Sequence, residues 1–572
     1  MKIGDRIPVN ISRFDGAMVS DPRDPRSNTA QVVSNFDVIN NPYRMIPAKD
    51  THSGDSSAST QKIHNFCIAK GDSLYAIYGA GQAGAGPYNK MFYKSLGTGG
   101  SNDLGDQSWT ADDNATGATN LVTQDKIMFV YYQKTGFVYG IAGDQYVTKI
   151  DPDGSTAIAE TERDLGAFTN TCQGLVHSKD DILYIARDNK IASNDNGSWS
   201  STALTLPASL RITSLVEHGN YLAIACAPLN QVENSCVFLW DRDTSLSTLS
   251  ESIDWGVGEL KVLESLNGEL VGVSILGPVG SLGKYNTFKD KIIFRKYNGV
   301  GVDQIEVFEG DVSSTASTIL TLLGTAKQKL NNRLYFLMAL TLRGTAREGL
   351  WSIGKNKAGE WSITLDKPVA TALTGTVSNR ALYGFIITGD YLLMSYLSGG
   401  TEYMDLTDSD ELYAIKGVYE SKIFNLGDTS LKKKLLGVTV TFDYLPTGSS
   451  TVILYYKKDA DTAWTQIFSY TSTAAGSFVT GTQYTITTVG TTDFTLIGAA
   501  SNALGVVFTA TGAGSGTGKA VINPTSHSAV NIESTGASLP EYNEIQFKIE
   551  SQYNANITGL EFTSEVTGKR VY

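Results

Sequence analysis

The sequence predicts an all-β protein: a β-propeller of about seven blades, followed by a C-terminal β-sandwich that carries a small inserted β module. The first indication is composition, because 57 Gly and 28 Tyr among 572 residues, with only 18% charged residues, are typical of short strands joined by tight turns. The second is a repeated turn-and-strand pattern, and the third is a change of pattern near residue 416. Segments with helical periodicity are scarce, and the best helix candidate, residues 314–330, is weakened by Gly324.

Residues 1–58 are predicted to form an extended N-terminal arm. Pro22, Pro25 and Pro47 each restrict the preceding residue to β or polyproline geometry. The segment does not resemble a signal peptide, because no apolar run follows its few basic residues. An arm of this composition needs another surface to lie on, which indicates a role in assembly.

Residues 59–415 are predicted to form the propeller, because a polar turn followed by four to six apolar or alternating residues recurs throughout them. Asn-Gly, Gly-Asp or Gly-Asn in the turn supplies the positive φ that two-residue hairpin turns require. One apolar residue after each turn marks the repeat, and successive marks are 39 to 64 residues apart, which suits a four-stranded blade with variable loops. The seven marks are Leu74, Val138, Leu183, Leu222, Leu270, Leu334 and Leu392.

Residues 416–475 and 524–572 are predicted to form the sandwich. Their strands alternate cleanly: Ile545, Phe547 and Ile549 face one way, and the polar residues between them face solvent. Residues 476–523 interrupt this pattern with a Thr- and Gly-rich stretch that is almost free of charge, which indicates a separate small β module.

Two segments resemble bacteriophage structural proteins. The N-terminal order of a glycine-containing turn, a proline-rich segment, a Gln-x-x-x-Asn segment and a basic residue before proline is similar to the opening of tail nozzle or tubular proteins of short-tailed phages. Here Gly16-Ala17 replaces the usual double glycine, and Tyr43-Arg44 stands where Gly-x-x-Arg is more common. The resemblance implies an assembly role for Phe14, Gly16, Pro22, Pro25, Gln31, Asn35, Arg44 and Pro47.

The second resemblance covers residues 484–520. Their pattern, Tyr-x-Ile…Gly-x-Thr-Asp-Phe-Thr…Gly-Ala…Asn…Gly-x-x-Phe-x-Ala-Thr-Gly, is similar to a small module that recurs in phage structural proteins. This match is more specific than the first and supports the same assignment independently.

Together the resemblances imply a structural virion protein of a phage tail, made in the bacterial cytoplasm. We expect a homo-oligomeric ring, a hexamer, that joins the adaptor to the distal tail, supports fibre proteins and contacts a host glycan or receptor. DNA would pass through without specific binding, in keeping with a net charge of −12, since an acidic lumen repels phosphates. No apolar run of membrane-spanning length occurs, so stable membrane insertion is not expected.

No catalytic, cofactor or metal site is predicted, and we expect the chain not to be an enzyme. The five His residues are not at metal-ligand spacing, and the four Cys residues lack Cys-x-x-Cys spacing and are interpreted as buried free thiols. Paired carboxylates such as Asp180-Asp181 are interpreted as solvated turns. The alternative function is a phage carbohydrate-binding adhesin or a sialidase-like glycosidase, because Ser193–Trp199 is one residue short of an Asp-box turn.

Overall fold

The structure is a computed structural model in which the chain divides into two compact units. Unit 1 comprises residues 1–50, 353–367 and 411–572, and unit 2 comprises residues 51–352 and 368–410. The structure describes residues 3–569 except 15, 17, 20, 22, 25–27, 37, 40–43, 46–51, 54–60, 71–74, 84–89, 96–109, 112–128, 143–144, 153–158, 168–172, 230–233, 245–248, 277–290, 311–318, 322–325, 343–344, 375–380, 389–390, 408–415, 443–449, 523–539 and 554.

The chain begins with three short strands, each of which pairs with a strand from much later in the sequence. They are β1 (Arg6–Ile11), β2 (Ala30–Ser34) and β3 (His52–Ser53).

Seven antiparallel blades form a propeller. Unit 2 contains all of them except residues 353–367 of blade 6, which belong to unit 1. Blades 1 to 3 comprise β4 (Gln61–Lys70), β5 (Tyr75–Ala83), β6 (Lys90–Ser95) and β7 (Thr110–Ala111); β8 (Val130–Tyr132), β9 (Phe137–Ala142), β10 (Tyr146–Ile150) and β11 (Ala159–Asp164); and β12 (Gln173–His177), β13 (Ile182–Arg187), β14 (Lys190–Asp195) and β15 (Ser198–Thr205). Blades 4 and 5 comprise β16 (Leu210–His218), β17 (Tyr221–Pro228), β18 (Ser235–Trp240) and β19 (Glu251–Gly256); and β20 (Glu259–Leu266), β21 (Glu269–Leu276), β22 (Lys291–Tyr297) and β23 (Val302–Glu309).

Blade 6 has an interrupted first strand, and blade 7 is completed from the other end of the chain. Blade 6 comprises β24 (Ile319–Thr321), β25 (Lys327–Leu330), β26 (Arg333–Leu342), β27 (Thr345–Lys355) and β28 (Trp361–Pro368). Blade 7 comprises β29 (Ala381–Thr388), β30 (Tyr391–Ser398), β31 (Thr401–Thr407) and, as its fourth strand, β3.

The blades form a closed ring. The first strands β4, β8, β12, β16 and β20 contact one another in order, β20 contacts blade 6, blade 6 contacts β29, and β29 contacts β4. Closure is reinforced where β3 pairs with β31, with His52 opposite Leu406 and Ser53 opposite Asp405. The predicted seven-bladed propeller is confirmed, and its fourth closing strand lies inside the segment that the sequence assigned to the arm.

Five of the predicted turns are fully described, and each connects the first and second strands of its blade; residues 71–74 and 389–390 of the other two lie outside the described part of the chain. In blade 5, Asn267 and Gly268 adopt φ of 51° and 81° between the paired residues Leu266 and Glu269. Asn331 and Asn332 do the same in blade 6, with φ of 49° and 60°. Asn and Gly tolerate this left-handed backbone, which is why the repeat was visible in sequence. Of the seven marks, Leu74 lies outside the described residues, and the other six lie in the second strands.

The best helix candidate of the sequence, residues 314–330, contains two strands in its described part, in keeping with the predicted all-β fold. Ile319–Thr321 and Lys327–Leu330 are strands, both paired with β26, and residues 311–318 and 322–325 lie outside the described part of the chain. Pairing with β26 outweighs the weak local helix propensity of this segment, since tertiary context routinely overrides propensity.

Unit 1 contains the predicted sandwich of two sheets. One sheet has the order β1, β42 (Ile557–Lys569), β33 (Leu431–Phe442), β40 (Glu541–Tyr542). The other includes β2, β32 (Gly417–Ser421), β41 (Ile545–Gln552), β34 (Thr451–Lys458) and β35 (Thr465–Thr471) in that order. Phe547 of β41 packs on Phe562 of β42 with ring centroids 4.8 Å apart, so the core lies between the two sheets. Ile545, Phe547 and Ile549 are fully buried, as predicted.

The N-terminal segment, predicted as an extended arm that needs another surface to lie on, pairs with strands of its own chain: β1 and β2 join the sandwich, and β3 joins blade 7. β1 pairs antiparallel with β42, and β2 pairs antiparallel with β32. Its apolar side chains that are at most 2% exposed include Phe14, Val32, Val33 and Phe36. The surface on which this segment lies is therefore its own chain, and the sequence interval between the paired strands is too long for local patterns to reveal it.

The inserted module is a compact element of its own. Its four strands are β36 (Thr473–Ala474), β37 (Gln483–Thr488), β38 (Val507–Thr509) and β39 (Lys519–Ile522), in the sheet order β36-β39-β37-β38, with one 3₁₀ helix, η1 (Phe494–Ile497). Phe508 packs edge to face on Phe478 and Phe494 in its core, and Phe478 and Phe494 are tilted against each other, with centroids 5.5 to 5.9 Å apart in the three pairs. The inserted β module is confirmed and begins three residues earlier than the predicted 476–523.

The residues of the phage-module pattern build this small fold. Asp493 caps η1 by accepting from Thr495 N at 3.1 Å, and Asn502 bridges Asp493 and the backbone N of Phe494 at 2.9 and 2.6 Å. Gly498 has φ of 106°, and a Cβ there would lie 2.3 Å from the Thr509 carbonyl oxygen. These positions are therefore set by folding, and the pattern identifies a fold rather than a site.

Phe508→Ala should unfold this module selectively. Phe508 is 3% exposed and contacts several aromatic rings, so its truncation should cost about 3–5 kcal/mol. Val507→Ala is the matched control on the same strand, since Val507 is 46% exposed. We expect rapid proteolysis within 473–522 for Phe508→Ala alone, and equal protection of both variants would contradict the description of the module core.

Candidate functional site: the central cavity of the propeller

The first strands of blades 1 to 6 enclose a cavity of about 850 Å³ at the centre of the propeller. Its lining is mixed in character, with apolar side chains such as Phe66 and Leu215, polar side chains, and charged groups of both signs. The charged lining residues are Lys179, Glu217, Glu264, Lys327 and Lys329. The cavity lies where the blades converge, so these charged side chains come from four different blades, blades 3 to 6.

Lys327 of β25 is the central group of this cavity. Its ammonium donates to Ser214 Oγ at 2.9 Å, to the Leu215 carbonyl oxygen at 2.9 Å and to the Leu263 carbonyl oxygen at 2.6 Å. An ammonium has three protons, so all of them are used. Glu264 Oε2 lies 3.7 Å away and supplies a countercharge. Burial lowers the pKa of Lys327, and Glu264 opposes this effect.

These contacts join three blades. Ser214 and Leu215 belong to blade 4, Leu263 belongs to blade 5, and Lys327 belongs to blade 6. The lysine therefore ties the three blades together through two carbonyl oxygens and one hydroxyl oxygen.

Two glutamine side chains form hydrogen bonds between further pairs of neighbouring blades. Gln328 of blade 6 donates from Nε2 to the Ile387 carbonyl oxygen at 2.7 Å and accepts from Ile387 N at 2.8 Å, which mimics a strand pairing with blade 7. Gln173 of blade 3 accepts from Leu215 N of blade 4 at 3.1 Å. Side-chain amides thus extend the backbone hydrogen bonding between neighbouring first strands.

Glu217, at the rim of the cavity, links blade 4 to the first turn of blade 3. Its carboxylate accepts from Ser178 N at 3.0 Å and from Ser178 Oγ. Burial raises the pKa of Glu217, but the two hydrogen bonds from Ser178 outweigh it, and the net pKa is lowered. Glu217 is therefore held ionised as an acceptor and is not a proton donor at neutral pH.

His218 should make stability depend on pH. Its Nδ1 lies 2.8 Å from Ser265 Oγ, and burial lowers its pKa below 6.5, with Glu251 raising it and Lys329 lowering it. The unfolded chain then binds the proton more readily, so stability should fall as pH drops through 6.5 and level off once the folded imidazole is also protonated. Denaturant midpoints between pH 7.5 and 5 should fall less for His218→Gln than for wild type. Parallel curves would show that His218 does not contribute.

The Asp180-Asp181 pair interpreted as a solvated turn has a more specific role. Asp180 accepts from Arg242 Nε at 2.5 Å and from Tyr184 OH at 2.9 Å, and Arg242 also donates to the Asn220 carbonyl oxygen. The carboxylate therefore joins blade 3 to the connection between β18 and β19 of blade 4. Asp181 has φ of 52° in the turn itself. The other acidic cluster of the sequence, Asp408, Asp410 and Glu411, lies outside the described residues.

The near Asp-box at Ser193–Trp199 is a hairpin turn between β14 and β15. Asn196 and Gly197 adopt φ of 49° and 90°, and Gly197 N donates to Asn194 Oδ1 at 2.7 Å. Trp199 packs against Tyr139 of the neighbouring blade with centroids 6.0 Å apart. Turn geometry and packing between blades account for this motif.

The described residues contain no group of three or more His, Cys, Asp or Glu side chains that could hold a metal ion. None of the helices in the described part of the chain has the length and apolar character needed to cross a membrane. Cys67 and Cys226 are buried free thiols, Cys236 is a half-buried free thiol, and Cys172 lies outside the described residues.

Five of the eight residues predicted for assembly lie in the described part of the chain, and most of these five are buried. Phe14 is fully buried and packs edge to face on Tyr419 at 5.4 Å. Gln31 donates to the Val19 and Asp21 carbonyl oxygens at 3.1 and 3.0 Å. Gly16 and Asn35 are buried, Arg44 is exposed, and Pro22, Pro25 and Pro47 lie outside the described residues.

Steric and backbone demands within unit 1 explain the residue types at Gly16 and Asn35. A Cβ on Gly16 would lie 2.0 Å from the Asn28 carbonyl oxygen, and Asn35 adopts a φ of 58° while its N donates to the Leu365 carbonyl oxygen at 2.9 Å. These positions are therefore explained by folding of unit 1, and whether the segment also contacts a neighbouring subunit stays a prediction.

Sequence reasoning missed Lys327, Gln328 and Glu264 as the groups at the centre of the propeller. The first two fell inside the best helix candidate, and Glu264 had no partner nearby in sequence. One signal was present: Lys327-Gln328-Lys329 immediately precedes a repeated turn, in the same position as the first strands of the other blades.

No family model matches the chain, and no curated protein matches it. Similar solved structures include Raptor from Chaetomium thermophilum, with 11% identity and a TM-score of 0.36 over 64% of this chain and 30% of that one. YCF48 bound to D1 peptide has 9% identity and a TM-score of 0.35 over 66% and 98% of the two chains. BBS1N in complex with ARL6DN has 11% identity and a TM-score of 0.36 over 63% and 97%. The chain thus spans less than a third of Raptor, and these likenesses assign it no function.

Proposed function

We propose that this chain is a structural subunit of a bacteriophage tail that assembles into a homo-oligomeric ring, a nozzle, between the adaptor and the distal tail. In this role unit 1 makes the contacts of the ring, and the propeller presents a surface to fibre proteins or to a host glycan or receptor. DNA passes the acidic protein without specific binding, and the chain performs no chemistry.

The observation that carries the proposal is the module at 473–522. Its sequence resembles a module of phage structural proteins, and the residues of that pattern, among them Asp493, Gly498 and Asn502, are the ones that determine its small fold. A sequence pattern whose residues have defined roles in the fold indicates a shared module. It is stronger evidence than a high content of Thr and Gly alone.

The chemistry of the central cavity is in keeping with a structural role. Lys327 has three hydrogen bonds, Glu217 is held as an acceptor, and Gln328 pairs with the backbone of the next blade. Each of these groups stabilises the ring of blades. The rival proposal, a carbohydrate-binding adhesin or sialidase-like glycosidase, rested on a near Asp-box that serves as a turn.

Light scattering coupled to gel filtration tests the proposal. Six copies of a 61.5 kDa chain give a particle of about 369 kDa, whereas an adhesin or glycosidase would be monomeric or trimeric. The same sample should be applied to a glycan array. A particle near the hexamer mass supports the nozzle, and a 61.5 kDa monomer with a strong glycan signal supports the rival.

A further inference from the structure

Cys226 and Cys236 lie directly opposite each other in blade 4. They are register partners on the antiparallel strands β17 and β18, one pair beyond Ala225 and Val237. Residues directly opposite in an antiparallel pair have Cα atoms about 4.5–5.5 Å apart, which falls within the range of about 4.4–6.8 Å seen for disulfides. Their side chains point to the same face of the blade.

The two thiols differ in environment. Cys226 is fully buried in the core shared by blades 3 and 4, whereas Cys236 is only half-buried against the same core. Burial, with a contribution from Cys236, raises the pKa of Cys226, while the hydrogen bond from Cys226 lowers the pKa of Cys236. One thiol is therefore exposed enough to react first, and the other is positioned to react with it.

We propose that Cys226 and Cys236 form a reversible dithiol–disulfide pair within blade 4. The oxidant is a small-molecule disulfide of the glutathione type. The Cys236 thiolate attacks one sulfur of this disulfide, forms a mixed disulfide and releases one thiolate. Cys226 then loses its proton and attacks Cys236 Sγ, which forms the protein disulfide and releases the second thiolate. The protein loses two electrons, and the small disulfide gains them.

The order of attack follows from the structure. Attack first at Cys226 would require a bulky disulfide to enter a core with no solvent access, since Cys226 is 0% exposed. Cys236 lies near the beginning of β18, and its second register partner, Asp254, lies on the outermost strand of the blade, where the edge is open. The resolving step needs little motion, because the two thiols already contact each other.

The test is incubation of the folded full chain with oxidised glutathione, followed by alkylation and mass spectrometry. No Lys or Arg lies between the two cysteines, so trypsin leaves both on one peptide, residues 212–242, and cleavage after Glu233 separates them. We expect loss of both alkylatable thiols and two fragments joined through Cys226 and Cys236. A folded wild type that retains both thiols would overturn the proposal.

Two variants test which cysteine reacts first with oxidised glutathione. Neither variant can form the protein disulfide. Cys226→Ala should accumulate a stable glutathione adduct on Cys236, which in wild type is replaced by the protein disulfide. Cys236→Ala should leave Cys226 unmodified while the protein stays folded. If Cys226→Ala gives no adduct, or if wild type stops at the adduct, the pair does not act as proposed. Circular dichroism of both variants shows that they are folded before the comparison is made.

Discussion

Removal of residues 1–45 should unfold the sandwich of unit 1 and leave the propeller folded. The deletion takes away β1 and β2 together with buried core side chains that include Phe14, Met18, Phe36 and Met45. Truncation costs about 3–5 kcal/mol for a buried Phe and about 2–5 kcal/mol for a buried Met, so the sum over these four is comparable with the whole stability of a typical domain, about 5–15 kcal/mol. The propeller keeps its closing strand, because β3 begins at His52.

Scanning calorimetry and limited proteolysis measure this result. Wild type should show the unfolding of both units, and the variant should retain only the transition of unit 2. A longer deletion, residues 1–60, is the matched comparison, because it also removes β3 and should lower the midpoint of the propeller. If the 1–45 deletion leaves unit 1 protected from protease, the N-terminal segment is an appendage after all, as the sequence first indicated.

This outcome also changes how ring assembly is tested. Loss of the ring in the 1–45 deletion follows from an unfolded sandwich and does not by itself locate a contact between subunits. Buried Phe14 and Gln31 are needed for folding, so substitutions there have the same drawback. Substitutions at exposed positions of unit 1 are required to separate folding from assembly.

Lys327→Met should destabilise the propeller by about 3–5 kcal/mol, the cost of breaking a buried ion pair by removing one partner. The substitution leaves Glu264, 15% exposed, without its countercharge and leaves three oxygen acceptors of blades 4 and 5 without their donor. Met has a similar length, so the loss of charge and hydrogen bonds dominates the effect.

Lys329→Met is the matched control, since Lys329 is exposed on the same strand and its substitution should cost no more than about 0.5 kcal/mol. The double variant Lys327→Met/Glu264→Gln should recover part of the loss, because it removes the unpaired charge. Urea unfolding of unit 2 measures all three. Equal stability of Lys327→Met and Lys329→Met would show that the central lysine does not tie the blades.

The propeller could be predicted because its signal is local. Positive φ at positions such as Asn267-Gly268 requires particular residues in a two-residue turn, and each such turn is followed by a buried strand. The turn pattern can therefore be recognised seven times in the sequence, at spacings of 39 to 64 residues. The alternation of Ile545, Phe547 and Ile549 in the sandwich is local in the same way.

The features that were missed depend on distant partners. Asn10 bonds to Glu561, 551 residues away, and nothing in the sequence near Asn10 indicates that partner. Phe14 looks like an exposed aromatic of an arm until Tyr419 covers it. Lys327 lies in a segment of weak helical propensity, and only pairing with β26 and the oxygens of two other blades makes it a buried strand residue.

Electron microscopy of the purified full-length chain tests the central claim most directly. The account predicts closed rings of six subunits with a central hole, each subunit showing a seven-bladed propeller. Class averages that contain only isolated propeller-bearing monomers or trimers, at concentrations where the protein is folded, would contradict the assignment to a tail nozzle and favour the adhesin.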